Sequence, residues 1–293
     1  MQYGSFFSEI YESHIISTRN GLQKYIPYIK AHREGNILEF PELPKLTMSF
    51  FDIDKGMIQN AGQKPENSVA IIPVNGMMTR SGSWWDYGTD DYAELLKQAY
   101  DDPAIKAVLL RINTVGGTVD SAFPINEALK NRNKPVLSAI DSKCYSMGYY
   151  VACQTDDIKA VDGMAGLGSI GIMSRLQNSD AYLKKEYGIE IIEVYPPESQ
   201  WKNKAEREAL AGNPDLLISE VLSPWAQHFQ EMVKNNRKKL DMEVEGLLEG
   251  RTFFAKDCTP DKNGLIDGIM PFGQIVKYAA DYDRNNKLNS FFK

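Results

Sequence analysis

The period of the hydrophobic positions changes repeatedly along the chain, and the changes mark out alternating strands and helices. SVAIIPVNGMM opens with an apolar run that predicts a buried strand over Val69–Val74, ending at Gly76. DDYAELLKQAYDD sets Tyr92, Leu95, Leu96 and Ala99 at helical spacing over Asp90–Asp102, and AIKAVLLRIN predicts a second buried strand over Ala104–Asn113. The glycines of TVGGTV close that strand as a turn. SAFPINEALKN then predicts a helix over Ser121–Asn131, and KPVLSAI a third strand over Lys134–Ile140. From Met147 to Cys153, small and aromatic residues fit the first turns of a buried helix.

Strands and helices alternating at this spacing imply parallel strands joined by right-handed crossovers. Active groups in such sheets gather at the carboxyl ends of the strands, where both TVGGT and CYSMG fall. Further on, DDIKAVD (Asp156–Asp162) predicts a short strand, AGLGSIGIM (Ala165–Met173) a glycine-rich segment, and DAYLKKEYG (Asp180–Gly188) a helix with a glycine cap. IEIIEVY (Ile189–Tyr195) predicts another strand, and SQWKNKAEREAL (Ser199–Leu210) is polar and basic. Ser219–Lys239 is a long amphipathic helix with Leu222, Trp225, Phe229 and Val233 on one face. EGRTFFAKDCTPDKNGLIDGI predicts a strand-turn-strand closure before a last helix over Phe272–Tyr282.

Residues 1–65 have a different texture: an amphipathic opening (Phe6, Phe7, Ile10, Tyr11, Ile15), breaks at Pro27, Pro41 and Pro44, and a linker at Gly62–Ser68. The expected organisation is an N-terminal extension over 1–65, a main domain over 66–275 and a tail over 276–293. The extension is expected to pack on the main domain or on a neighbouring subunit.

A hydrophobic content of 43% over 293 residues supplies an ample core, and a net charge of −6 disfavours a nucleic-acid partner. The three cysteines (Cys144, Cys153, Cys258) form no C-x-x-C pair, which argues against a disulfide framework or zinc site and for a reducing, cytoplasmic compartment. The opening MQYGSFFSEIYESH has neither a basic lead nor an apolar core, so no signal peptide is expected. With no apolar run near the roughly 18 residues that cross a bilayer, a soluble protein without a membrane span is expected.

Ser146 stands at a strand-to-helix junction, beside unpaired amides and the positive end of the helix dipole. Taken alone it reads first as a helix cap. Its neighbours alter that reading. Gly116 and Gly117 sit where the preceding strand ends, and glycine there lets the backbone approach a ligand closely. The N–H of Met147 lies at the end of the next strand, so the two sites together could aim a pair of amides at one developing oxyanion.

A serine nucleophile needs a base, and the histidines offer little. His14 and His32 belong to the extension, and His228 lies within the amphipathic helix as a surface or packing residue. The remaining candidate is a lysine. At the ordinary pKa only about one in a thousand is neutral near neutral pH, and burial away from other charges lowers that pKa enough to make the amine a base. Lys202 and Lys204 are the candidates, because Lys143 would point to the opposite face of its strand. Cys144 precedes the helix and reads as a buried inert thiol. Asp156, Asp157 and Asp162 show no metal-ligand spacing, and no cofactor or metal is expected.

Over about Val69 to Ile269 the chain resembles the signal-peptide-peptidase-A-like family of serine peptidases, including its phage capsid-maturation branch, and more distantly the Clp protease subunits. The resemblance is carried by RINTVGGTV, YSMGYYVA, GLGSIGIM and GRTFFAKDCTPDKNGLIDGI. It implies an α/β fold of the crotonase and Clp protease type, a ββα superhelix with a parallel sheet. It also implies Ser146 as nucleophile, Lys202 as base, Gly117 and Met147 as oxyanion amides, and Gly116, Thr118 and Ser169 as substrate contacts. A peptide or protein substrate, a ring or dome homo-oligomer and, for the phage branch, association with the prohead follow from the same likeness. Thr114-Val115 replaces the family's usual Ser-Pro before the glycines, and the membrane anchor of the cellular branch is missing. Two other readings are a crotonase-type acyl-CoA hydratase or isomerase, which would need a carboxylate base, and a non-catalytic capsid-assembly scaffold.

Overall fold

The long apolar runs pair as neighbours in one sheet. The computed structural model describes residues 15–17, 30–31, 34–35, 45–59, 64–82, 86–176 and 180–282. In chain order the strands are β1 (Ile15–Ser17), β2 (Ser49–Asp52), β3 (Met57–Gln59), β4 (Ser68–Met78), β5 (Ile105–Thr118), β6 (Val136–Tyr145), β7 (Asp157–Ala160), β8 (Gly166–Gly168), β9 (Thr252–Phe254) and β10 (Gly268–Ile269). The principal helices are α1 (Thr89–Asp101), α2 (Ala122–Lys130), α3 (Met147–Ala152), α4 (Asp180–Tyr187), α5 (Lys204–Leu210), α6 (Ser223–Asn236) and α7 (Phe272–Ala280).

Strands β4, β5, β6, β7 and β10 lie side by side and parallel, with β2 and β3 continuing antiparallel beyond β4. The chain is therefore α/β with a mostly parallel sheet, as the strand-helix alternation implies. Helices cover both faces, which is why the central strands read as nearly unbroken apolar runs. One face carries Ala70, Ile72, Val108, Leu110 and Ile140, packed with Leu96 of α1, Leu129 of α2, Val151 of α3 and Val233 of α6. The other carries Ile71, Leu109, Leu137 and Ala139 beneath Ile275, Val276 and Ala279 of α7.

The closing segment is fastened by a partly buried ion pair. Arg237, just past α6, donates from Nη1 and Nη2 to the two carboxylate oxygens of Asp267 at 2.7 and 3.0 Å. Asp267 also accepts the Ile158 N–H of β7 at 2.9 Å. Burial opposes ionisation of Asp267, but the guanidinium and the amide outweigh it and hold the carboxyl below its usual range.

Several expectations are corrected. The TVGGT glycines do not end the strand: β5 continues through them to Thr118, flanked by β4 and β1 on its two edges, with Gly116 at φ 105° where the register against β4 shifts. Residues 49–59 of the expected extension pack on the main sheet as β2 and β3, and α7 spans position 275. Ile189–Tyr195 is not a strand, since among the described residues it has no ladder partner and its apolar side chains are exposed. The long C-terminal helix begins irregularly, with a π turn over Ile218–Leu222 before α6, next to Pro224, which has no N–H to continue the ladder. The opening residues Phe6, Phe7, Ile10 and Tyr11, the prolines Pro27, Pro41 and Pro44, the start of the linker at Gly62, and His14 and His32 lie outside the described residues.

Candidate active site

Strand β6 leaves the sheet at Ser146, and α3 starts with the next residue. Ser146 has φ 54° and ψ −117°, a conformation that costs a residue with a Cβ about 1–3 kcal/mol unless its surroundings enforce it. They do so through the backbone. Its N–H donates to the Gly168 carbonyl of β8 at 2.8 Å, and its own carbonyl accepts the Tyr150 N–H at 2.9 Å. The hydroxyl makes no capping bond and no other hydrogen bond among the described residues, although the residue is only 1% exposed. The helix-cap reading therefore fails. This strained strand-to-helix turn is the geometry that presents nucleophilic serines in α/β hydrolases.

Glycines allow the close contacts around this junction. A Cβ on Gly148 would stand 2.4 Å from Thr114 Cγ2, so α3 sits as near β5 as it does only because position 148 is bare. A Cβ on Gly117 would fall 1.7 Å from the Met78 carbonyl oxygen. Thr114, in place of the expected serine, donates from Oγ1 to the Gly76 carbonyl at 2.5 Å and accepts the Gly116 N–H at 3.0 Å. The Gly116 amide is thus already engaged. The Met147 N–H, in the first turn of α3, has no intrahelical acceptor.

Register places the predicted site residues together. Thr114 of β5 pairs with Cys144 of β6, and Tyr145 of β6 pairs with Gly168 of β8. Gly116, Gly117 and Thr118 therefore end beside the Ser146–Met147 junction on one side. Ser169 follows on the other, with φ 55° and its N–H donated to the Arg251 carbonyl at 2.8 Å.

The lysines are not part of this cluster. Lys202 is exposed beside a shallow depression of about 310 Å³ lined by Glu193, Tyr195 and Ser199, and its side chain makes no hydrogen bond or ion pair among the described residues. It is not within hydrogen-bond reach of Ser146 in this chain. Lys204 is committed elsewhere, to Glu208 at 3.7 Å and to the face of Trp201 at 4.0 Å. His228 is also engaged: its Nε2 lies 3.0 Å from the Tyr150 hydroxyl, and its ring packs edge-on to Trp225. Cys144 is fully buried, and burial pushes its thiol well above the usual range, as expected of an inert core residue. The other two cysteines are buried as well, and burial pushes both thiols up to about 12.

Two features were not singled out from the sequence. One is the Gly168 carbonyl that fixes Ser146; the glycine-rich segment signals a close approach but not its target. The other is Asp120, in the helical turn after Thr118, whose Oδ1 is buried without a hydrogen-bond partner. Among the described residues no group of three or more His, Cys, Asp or Glu is placed to hold a metal ion, and no helix is long and apolar enough to cross a membrane.

Comparison with known proteins bears on this cluster. Protease 4 of Haemophilus influenzae is 28% identical over 217 residues, covering 73% of this chain and 34% of that protein. Capsid assembly protease C of Escherichia phage lambda is 30% identical over 156 residues, covering 51% of this chain and 35% of that protein. The chain thus spans about a third of the length of each of these relatives. Among solved structures, a membrane-bound stomatin-specific protease aligns at a TM-score of 0.44 with 16% identity, covering 71% of this chain and 81% of its own. The profile of peptidase family S49 matches residues 128–286, more than half of the sequence and including Ser146, Gly168 and the Arg237–Asp267 pair. This chain belongs to peptidase family S49.

Proposed function

We propose that the chain is a serine endopeptidase in which Ser146 is the nucleophile and Lys202 the general base. The observation that carries the reading is the enforced backbone of Ser146, whose hydroxyl is left without any structural bond. An extended peptide adds as a strand at the end of β5. The neutral Lys202 amine takes the Ser146 proton as Oγ attacks the scissile carbonyl carbon, and the oxyanion is held by the Gly117 and Met147 amides. The Lys202 ammonium then protonates the leaving amine, and water releases the acyl group. Lys202 is preferred to Lys204 because it is the uncommitted amine of the two.

The reaction needs Lys202 dehydrated and close to a Ser146, and assembly of several copies supplies both conditions. Ile189, Ile191, Ile192, Val194 and Trp201, all in the segment leading to Lys202, are exposed in the single chain. Docking of this apolar arm on a neighbouring copy buries it and removes water from the amine, in keeping with a ring or dome homo-oligomer. Protein substrates fit the same reading, within the prohead if the chain shares the context of its phage relative.

The test is cleavage of unfolded casein, with fluorophosphonate labelling, by the purified wild type, Ser146→Ala and Lys202→Ala. Ser146→Ala should lose labelling and at least about a thousandfold in rate. Undiminished cleavage by Ser146→Ala would end the reading, and full activity of Lys202→Ala would move the base to Lys204. An assembled wild type that neither labels nor cleaves would favour a scaffold.

A further inference from the structure

Part of the chain's own N-terminal region lies where a substrate peptide would bind. β1 pairs antiparallel with the end of β5, Ile15 opposite Thr118, Ile16 opposite Gly117 and Ser17 opposite Gly116. Gly117 already has Met78 of β4 on its other edge, so β1 occupies the edge that faces β6. β6 follows that edge only to the level of Thr114, opposite Cys144, and departs at Ser146. β1 therefore fills the lane that β6 vacates. Because it runs antiparallel, its carboxyl end at Ser17 arrives level with the Ser146 junction.

We infer that residues 15–17 are an intramolecular occupant of the substrate lane, which a substrate peptide must displace before Ser146 can attack. The inference rests on the assignment of Ser146 given above and adds a regulation to that site. A second observation supports the lane as a binding edge. The Thr118 hydroxyl and Asp120 Oδ1, at and just beyond the end of β5, are buried without hydrogen-bond partners among the described residues. Buried polar atoms are seldom left so, and a bound peptide with suitable donors would satisfy them. A three-residue ladder is weak by itself. Tethering offsets this by holding the segment at an effective concentration on the order of millimolar.

The test is made in the full chain carrying Ser146→Ala, so that binding is read without chemistry. The probe is a fluorescein-labelled peptide with the sequence of residues 10–22, followed by anisotropy. Adding Ile15→Pro together with Ile16→Pro removes at least one ladder amide, whichever alternate set faces β5. If β1 covers the lane about nine-tenths of the time, the proline variant binds the probe roughly tenfold more tightly than its parent. Equal affinities, or no binding to either protein, would overturn the inference.

A second measurement needs no change in β1. Saturating the Ser146→Ala chain with the probe should accelerate amide hydrogen exchange across residues 15–17, and unchanged exchange there with probe bound would also overturn it. Neither readout depends on Lys202 or on turnover. Failure of the peptidase reading would instead show as cleavage surviving Ser146→Ala.

Discussion

Ser146 is 1% exposed and held on both sides by backbone hydrogen bonds, whereas Ile192 and Val194, on the arm that leads to Lys202, are 76% and 85% exposed. The two regions would have to meet for the proposed chemistry, yet one chain finishes only the first. The strain at Ser146 is balanced locally by the sheet, by Gly168 and by the glycine that admits α3. The arm has no comparable support among the described residues, and its apolar side chains are exposed. On the proposed reading, the fold fixes Ser146 within one chain and leaves the approach of Lys202 to assembly.

The strongest way to break this contrast is to change the reactive atoms and leave the packing intact. Ser146→Ala should lower the cleavage rate at least about a thousandfold while its thermal midpoint stays within a few degrees of the parent's or rises, since the hydroxyl makes no bond in the fold. A large fall in melting temperature would mean that the hydroxyl is structural after all.

Next in size is Arg237→Ala, on the rigid side but away from the reacting atoms. It leaves the partly buried Asp267 without its cation, and should cost about 2–3 kcal/mol in urea unfolding. The pH dependence follows from the same pair. Because Asp267 is held below its usual range, its contribution is complete above the unfolded carboxylate pKa of about 3.9 and is lost as pH falls further through the folded value. Denaturation midpoints measured from pH 6 down to pH 2 should fall at the acid end, and Arg237→Ala should flatten that fall.

Gly148→Ala is a smaller change in which two effects compete. Alanine favours the helix by about 1 kcal/mol, but its Cβ must displace the Thr114 methyl, and overpacking of this kind costs about 1–3 kcal/mol. Crowding should win by about 1 kcal/mol, because Thr114 is fixed at both ends of its hydroxyl. Thr114→Ser in the same background removes the methyl, keeps the hydroxyl and should restore the loss. If it does not, the cost arises elsewhere.

The smallest expected effect on stability belongs to the arm. Ile192→Ser with Val194→Ser should change the unfolding free energy of the dissociated chain by under about 0.5 kcal/mol. The same pair should dissociate the assembly in sedimentation velocity and abolish cleavage with it. Retained assembly would show that the arm is not the contact.

Much of the rigid side was legible in the sequence because its strands are buried on both faces, which writes them as apolar runs with little ambiguity. The junction at Ser146 was legible as a strand meeting a helix. Its backbone angles were not, since they depend on β8 arriving from later in the chain to accept the Ser146 amide. The TVGGT stretch was misread as a turn because glycine's freedom is used here inside a strand: Gly116 takes φ 105° where the register against β4 shifts, and Gly117 admits the Met78 carbonyl alongside. The segment over Ile189–Tyr195 was misread for the opposite reason. Its β-branched residues fit a strand, but a strand also needs a neighbour, and this chain provides none among the described residues.

The three buried thiols have a practical consequence. Cys144 lies just before the Ser146 turn, Cys153 ends α3 and Cys258 sits in the closing segment, all buried, so a thiol-reactive dye can reach each only when its own region breathes. The rates at which single-cysteine versions take up the dye would time, place by place, how often the protein loosens without coming apart.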